Sequence, residues 1–487
     1  MFRKTICSRL PQLSALLITL LGWSFYQTTA SATECGTVNF ETPRVFDVGG
    51  TPGRIALDDF NRDGKPDMAV TSPDSSYVAV FLGDGTGNFS APSILAAGAF
   101  SVPVSTGDFN QDGKKDLAVG SHDGYVWIYL GDGSGGFTGP SLFQDTEDGG
   151  DAYDIAVGDF NQDGKTDLAI GHLFTGLDIL LGNGTGGFSS PIAYLLGEGP
   201  VSVETNDFNN DGKTDLLTSN AQGGNTSILI ANGSGGFTVS DLSLPSNAVI
   251  GDFNSDAKSD LLVGNADGSN SLFLGDGLGG FTESSSFAGG IGQAVDLNGD
   301  GRLDLIVGSE DSIAVRLGNG TGGFTQPSND FPAGSHNVDV VTGDLNNDGK
   351  PDVITANYFS NTVSVLLNST VVPVLAINPL FDTSKAWKIG KTIPIKLQVV
   401  GCGGNNLSTP TLAVTAFDLR LVGGATAATV VDSGNANPDY NFRYIGDTGG
   451  SYIFNLSTKG LSAGTYALAF YVGSNHSSSY AVRFEVK

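Results

Sequence analysis

Nine residues, DFNQDGKKD from Asp108 to Asp116, place carboxylates at positions 1, 5 and 9, an amide at position 3 and a glycine at position 6. That is a set of oxygen donors. Hard divalent cations take oxygen ligands, and Ca²⁺ accepts six to eight of them at flexible angles. Mg²⁺ suits such a loop less, because it demands octahedral geometry and keeps its waters. Asp108, Asn110 and Asp112 alternate along the chain, so a tight loop turns all three toward one point. Gly113 permits the bend, the backbone carbonyl of Lys114 offers a further oxygen, and Asp116 closes the set from the start of the next strand.

The pattern occurs seven times. The side-chain ligands it implies are Asp59, Asn61, Asp63 and Asp67; Asp108, Asn110, Asp112 and Asp116; Asp159, Asn161, Asp163 and Asp167; and Asp207, Asn209, Asp211 and Asp215. The remaining copies contribute Asp252, Asn254, Asp256 and Asp260; Asp296, Asn298, Asp300 and Asp304; and Asp344, Asn346, Asp348 and Asp352. Turn chemistry alone explains Asp, Asn and Gly in a loop. It does not require three acids at fixed offsets in every copy. About seven Ca²⁺ ions are therefore expected, in a structural role and with the weak affinity of extracellular modules, roughly 10⁻⁴–10⁻³ M. Ala257 stands where the other copies have glycine, so the fifth loop is expected to bind most weakly.

Charge agrees with this reading. The 487-residue chain carries 51 acidic and 24 basic residues, a net −27. Arg3, Lys4 and Arg9 precede an apolar run from Leu13 to Phe25, and Ala30-Ser31-Ala32 follows. Residues 1–32 read as a secretory signal peptide, with an apolar run too short to span a bilayer. Its removal takes away three basic residues and no acid, leaving −30. Such a chain is not expected to seek nucleic acid or to insert in a membrane. The seven loops hold 21 of the 51 acids, so seven Ca²⁺ would bring the mature chain to −16.

The elements that position these loops follow from their flanks. The nonapeptides recur every 44 to 51 residues, the mark of a repeat architecture. Residue 10 is apolar in every copy, so each loop runs into a β-strand and not into the helix of an EF-hand. Phe60, Phe109, Phe160, Phe208, Phe253, Leu297 and Leu345 at position 2 read as core pegs. In the second copy, strands are expected at Val104 to Gly107, Leu117 to Val119 and Tyr125 to Leu130, with a fourth opening at Phe137. Four short antiparallel strands are one propeller blade. Six copies carry a Gly-rich turn ending in Phe, at Phe89, Phe137, Phe188, Phe237, Phe281 and Phe324. The seventh stops near Leu367 without one. Residues 36–43 resemble residues 87–92, so the N-terminal strand is expected to complete the seventh blade and close the ring.

These repeats resemble the FG-GAP or VCBS repeats of integrin-α-type β-propellers, over about Thr37 to Leu367. The resemblance implies an all-β, seven-bladed propeller over residues 33–370, with calcium between the first two strands of each blade. Beyond a short linker from Asn368 to Val374, residues 375–487 show strand patterning without repeats. Tyr480, Val482, Phe484 and Val486 alternate with polar or small residues, and Thr465 to Val472 is a second strand. An immunoglobulin-like sandwich is expected there. The segment is also similar to the PxKF modules of secreted bacterial proteins through Pro394-Ile395-Lys396 and the stretch TKGLSAGTYAL.

No catalytic residue is expected. Gly460 to Gly464 matches G-x-S-x-G around Ser462, but that motif needs a strand-to-helix elbow and here lies between strands. Cys35 and Cys402 remain after signal removal; a disulfide between them and two separate thiols both stay open. The calcium loops and Gly-rich turns share one face and are nearly uniform. The opposite face carries variable loops, including the acidic segment 145–154 with His122 and His172 nearby, and specificity is expected there. The function expected is a secreted binding or adhesion module for an extracellular protein or glycan. The alternatives are a propeller-type lectin and a polysaccharide-active enzyme. Tyr77, Tyr125 and Tyr358 do not recur through the blades, which counts against seven equivalent sugar sites.

Overall fold

The computed structural model describes residues 38–487 except 145–149, 174–175, 197–199, 221–224, 245–247, 266, 268, 289–291, 326–329, 371–375, 381–385, 390, 401–407, 409–413, 422–426, 429–441, 446–450, 460 and 473–478. The signal segment, Cys35 and Cys402 lie outside the described residues, as does the most acidic part of the 145–154 loop. The chain divides into two compact units, one made mainly of Glu34–Val374 and the other mainly of Leu375–Val400 and Asn406–Lys487.

The first unit contains seven four-stranded antiparallel sheets. Blade 1 runs Ile55–Asp58, Asp67–Ser72, Tyr77–Phe81 and Ser93–Ala96. Blade 2 runs Val104–Gly107, Asp116–Gly120, Tyr125–Gly131 and Phe137–Gln144, close to the strands read from sequence. Blades 3 to 6 repeat the order. Blade 7 takes Asn337–Gly343, Asp352–Asn357 and Thr362–Leu366, and its fourth strand is Arg44–Asp47 from the N-terminus. Phe40 bridges Asn368 as Phe89 bridges Gly83, so the N-terminal segment occupies the place its sequence matched.

Burial explains the strand patterns. Second strands such as Asp67–Ser72 and Asp167–His172 are buried along their whole length, because each sheet has a neighbour on both faces. Fourth strands such as Ser93–Ala96 are mostly exposed at the rim. The position-2 phenylalanines fill the space between blades. Phe60 meets Phe137 edge-on at 5.4 Å between ring centres, and Phe109–Phe188, Phe160–Phe237, Phe208–Phe281 and Phe253–Phe324 repeat the contact. Each pair joins a loop of one blade to the Gly-rich turn of the next.

Hydrogen bonds close the ring as well. In six blades a turn glycine N–H donates to the position-2 carbonyl of the preceding blade: Gly87 to Leu345, Gly135 to Phe60, Gly186 to Phe109, Gly235 to Phe160, Gly279 to Phe208 and Gly322 to Phe253. Blade 7 lacks this turn, and the Asn368 side-chain amide makes the equivalent bond to Leu297 O at 2.8 Å. Asn368 to Thr370 thus belong with the propeller, inside the expected 33–370 span and not with the linker expected from Asn368. At Gly135 a side chain is excluded twice over, by φ of +83° and by Leu82, which a Cβ would approach to 2.7 Å.

In the second unit, one sheet orders Ala376–Pro379, Thr392–Val400, Ser451–Ser457 and Arg443–Ile445. The other contains Ala386–Trp387, Ser479–Val486, Gly464–Val472, Val414–Leu421 and Ala427–Ala428. Ile393, Ile395, Leu397 and Val399 alternate into the core of the first sheet, and Tyr466, Leu468 and Phe470 into that of the second. Phe442 joins them, with ring contacts to Phe454 at 5.1 Å and Phe470 at 5.3 Å. Ser462 lies between Ser451–Ser457 and Gly464–Val472, where its hydroxyl is 3.2 Å from that of Tyr466. No strand-to-helix elbow is present there among the described residues. Among the described residues no helix is long and apolar enough to cross a membrane.

Candidate metal loops and the two faces of the ring

All seven acidic loops connect the first and second strands of their blades, at one end of the ring. Their backbone is nearly identical. In the second loop Asp108 accepts from Asp112 N at 3.0 Å and Gly113 N at 2.9 Å, and Asn110 Oδ1 accepts from Asp112 N at 2.9 Å. Asp112 in turn accepts from Lys114 N at 3.0 Å. The same bonds recur in the loop from Asp159, in the loop from Asp344 and in the loop containing Ala257.

Two backbone positions are left-handed. Position 6 has φ between +77° and +81° where it is glycine, in the loops at Gly64, Gly113, Gly164, Gly212, Gly301 and Gly349, and Ala257 adopts +64°. An added Cβ meets nothing within 4 Å at those glycines, so the cost of alanine there is conformational and not steric. Position 4 is left-handed too, at Arg62, Gln111, Gln162, Asn210, Ser255, Gly299 and Asn347, which the sequence reading did not anticipate. That geometry sends some position-4 side chains to the neighbouring loop: Gln111 Nε2 donates to Gly164 O at 2.8 Å and Gln162 Nε2 to Gly212 O at 3.3 Å.

The ninth carboxylates differ from the others. Asp67, Asp116, Asp167, Asp215, Asp260, Asp304 and Asp352 are all fully buried. In every blade one oxygen accepts the position-2 N–H at 2.9 to 3.1 Å. The other accepts an N–H at the end of the third strand at 2.6 to 3.0 Å, from Gly83, Gly131, Gly182, Ala231, Gly275, Gly318 or Asn368. These acids therefore tie the loop to the blade as well as facing it. Burial pushes their pKa values up, to about 6 for Asp167 and Asp352 and about 7 for Asp304, against the opposing pull of two N–H donors.

A basic residue at position 7 pairs with the position-5 carboxylate in every loop. The partners are Lys65–Asp63, Lys114–Asp112, Lys165–Asp163, Lys213–Asp211, Lys258–Asp256, Arg302–Asp300 and Lys350–Asp348, at 2.5 to 4.0 Å. The hydrogen bond from the lysine, with desolvation opposing it, holds Asp112, Asp163 and Asp211 below the usual carboxylate range. The sequence shows this basic residue in all seven copies, although its pairing was not foreseen.

The donor set fits a hard cation in chemistry: three carboxylates and an amide oxygen per loop, one carboxylate fully buried and, among the described residues, without an ion-pair partner. As placed, the carboxylates at positions 1 and 5 are turned onto the loop's own N–H groups, and no three His, Cys, Asp or Glu among the described residues form a metal-ready cluster.

The inner strands carry a second group of charges that sequence spacing did not reveal. Arg54 of blade 1 pairs with Asp339 of blade 7 at 3.2 Å. Asp339 also accepts from Ile55 N at 2.8 Å, and Asp154 of blade 3 accepts from Val203 N of blade 4 at 2.8 Å. Each Asp thus joins two adjacent blades. Desolvation raises the pKa values of Asp154 and Asp339, with Arg54 opposing it. Desolvation pushes Glu204 up to about 7, and the Asp154 charge adds to the shift. Water reaches Glu204, but the surrounding inner strands displace much of its hydration shell.

On the opposite face, His122 occupies the loop between the second and third strands of blade 2, with Nδ1 3.8 Å from Asp151. His172 does not belong to a surface loop as expected. It ends the second strand of blade 3, fully buried, with Nε2 3.3 Å from Asp178. Its strand lies between the first and third strands of the blade, with His172 in register with Ala152 on one side and Gly176 on the other.

Three stretches of the chain match a known repeat family. A family model described as an FG-GAP-like repeat matches residues 59–119, 108–170 and 296–355. Among solved structures, the chain is similar to BBS1N in a crystal structure of its complex with ARL6DN, at 13% identity over 68% of this chain and 97% of that one, TM-score 0.49. It is also similar to Saccharomyces cerevisiae Sqt1, at 12% identity over 68% of this chain and 98% of that one, TM-score 0.45. No curated protein matches.

Proposed function

Because this propeller is built of FG-GAP-like repeats, we propose that it is a secreted, calcium-stabilised binding or adhesion module for an extracellular protein or glycan. The observation that carries the reading is the asymmetry of the ring. One end repeats a single acidic loop seven times with one hydrogen-bond pattern, as a structural device does. The other end carries loops that differ from blade to blade, as a recognition surface does. The positive residues at the N-terminus followed by a short apolar run support export.

Asp59, Asn61, Asp63 and Asp67, with their six counterpart sets, would hold the ions. Calcium bound there supplies positive charge to buried and crowded carboxylates, stabilising the folded form over the unfolded one. The basic residue at position 7 already offsets part of the charge: five loops stand at −2, and Arg62 and Lys115 bring the first two to −1, so one divalent ion takes each loop to zero or +1. The chain's own contribution is orientation: left-handed positions 4 and 6 curl the loop, and the ninth acid anchors it to the blade.

Two measurements test the proposal. Calcium titration of the mature protein is expected to reveal several sites and a melting temperature that falls on chelation. A binding screen against glycans and extracellular-matrix proteins is expected to yield a ligand whose capture is lost in EDTA. An unchanged thermal transition after thorough chelation would remove calcium from the proposal.

A further inference from the structure

On the variable face, two histidine–aromatic stacks flank blade 1. In the first, Phe100 lies over His122 at 5.9 Å and 29° between planes, and His122 lies over Tyr153 at 5.8 Å and 23°. Phe100 comes from the connection between blades 1 and 2, His122 from blade 2 and Tyr153 from blade 3. In the second, Phe359 lies over His336 at 4.7 Å and 28°, with Tyr358 edge-on to both rings. Here the histidine comes from the connection between blades 6 and 7, and the phenylalanine from blade 7.

Both stacks present their phenylalanine outward. Phe100 is 55% exposed and Phe359 70% exposed, although one face of each ring is covered by histidine. The inter-blade residue in each stack has a left-handed backbone, φ +48° at Phe100 and +60° at His336. Such a conformation is uncommon for bulky side chains and is worth holding only where the fold over-determines it. Backbone bonds do so: His122 N donates to Ala99 O at 3.1 Å and Tyr358 N to His336 O at 3.0 Å. Among the described residues, the large aromatics that remain exposed are Phe100, Phe359 and Tyr125, and Tyr125 begins the strand that follows the His122 loop. Other exposed apolar residues, such as Ile94 and Val239, lie on the outer strands.

We propose that these two stacks are platforms for an uncharged polysaccharide, each phenyl ring taking the flat C–H face of one sugar. The inference rests on the binding-module reading and names its ligand class. Flat rings separated around the ring of blades suit a polymer that offers the same ring face repeatedly. Polar groups stand beside both platforms: Asp151 near His122, and Asp74, which is 3.3 Å from Tyr358 Oη and accepts from Thr51 at 2.8 Å. They suit hydroxyl donors. The same acids and the net negative charge oppose uronate or sulfate polymers. Having two stacks instead of seven also accounts for an aromatic pattern that does not recur in every blade: the site is one extended surface.

The test uses the full mature chain in calcium, with isothermal titration against neutral hexasaccharides of glucose, xylose and mannose, a sulfated hexasaccharide, and an extracellular-matrix protein panel. At least one neutral hexasaccharide is expected to bind, with affinity falling tenfold or more in Phe100→Ala and Phe359→Ala. Phe100→Tyr and Phe359→Tyr should retain binding, and Leu195→Ala on the outer rim should match wild type, with melting temperatures reported for all. Neutral-sugar binding that ignores both alanine substitutions would overturn the platforms. Binding of the sulfated sugar or a matrix protein alone would overturn the neutral-glycan assignment while sustaining the binding-module reading. Absence of any binding would overturn both.

Discussion

Asn368 Nδ2 donates to the carbonyl of Leu297 at 2.8 Å, doing in blade 7 what a glycine N–H does in each of the other six blades. The same amide reaches Pro351 O at 3.1 Å, and Asn368 N donates to Asp352 at 2.6 Å. One residue thus replaces a missing turn where the two ends of the propeller meet. Asn368→Ala is expected to leave the buried Leu297 carbonyl and the part-buried Pro351 carbonyl short of a donor and to cost about 1–3 kcal/mol. Urea denaturation measures it, and a loss under about 0.5 kcal/mol would show that solvent replaces the amide.

The fifth loop offers a gain. Ala257 sits at φ +64° in open space, so its strain has no steric remedy other than glycine. Ala257→Gly is expected to stabilise the protein by about 1 kcal/mol. Thermal melts with and without calcium would show it. An unchanged or lower melting temperature in both conditions contradicts the strain argument.

Positions 5 and 9 of the loops should respond differently to chelation. Asp112 and Asp163 are exposed at the loop tip, so alanine there is expected to lower the melting temperature in calcium and to matter little in EDTA. Asp167 is fully buried and accepts from Phe160 N at 2.9 Å and Gly182 N at 2.7 Å. Asp167→Ala strands both donors and is expected to cost about 2–3 kcal/mol or more in either condition. Equal behaviour of the two positions in EDTA would contradict the division of roles.

The inner-strand cluster predicts a pH dependence. Glu204 is pushed up to about 7 in the fold, above its ordinary value. A carboxylate raised in the folded state binds its proton more tightly there than when unfolded. Its contribution to stability is therefore present at low pH and is lost as pH rises toward and through 7. Glu204→Gln should be more stable than wild type above pH 7, with the difference vanishing near pH 4. Melting curves from pH 4 to 8.5 at fixed calcium provide the comparison. A constant offset across that range would mean that Glu204 does not titrate there.

Much of the ring was legible because its information is local and repeated. The seven nonapeptides, the apolar residue at position 10 and the Phe-ended turns each determined a strand–loop–strand unit. The likeness of residues 36–43 to a Gly-rich turn was enough to assign the strand that closes blade 7. The basic residue at position 7 was equally visible, but its pairing with position 5 is set by the curl of the loop, whose left-handed position 4 is not signalled by residue type. What the tertiary structure alone decided involves residues far apart in the chain. Arg54 meets Asp339 because blades 1 and 7 are neighbours only after closure. His172 is buried because sheets cover both faces of its strand. Phe100, His122 and Tyr153 stack because three successive blades converge on one face. Periodicity specifies which side of a strand is apolar; it takes the closed ring to bring side chains of different blades within a few ångströms of each other.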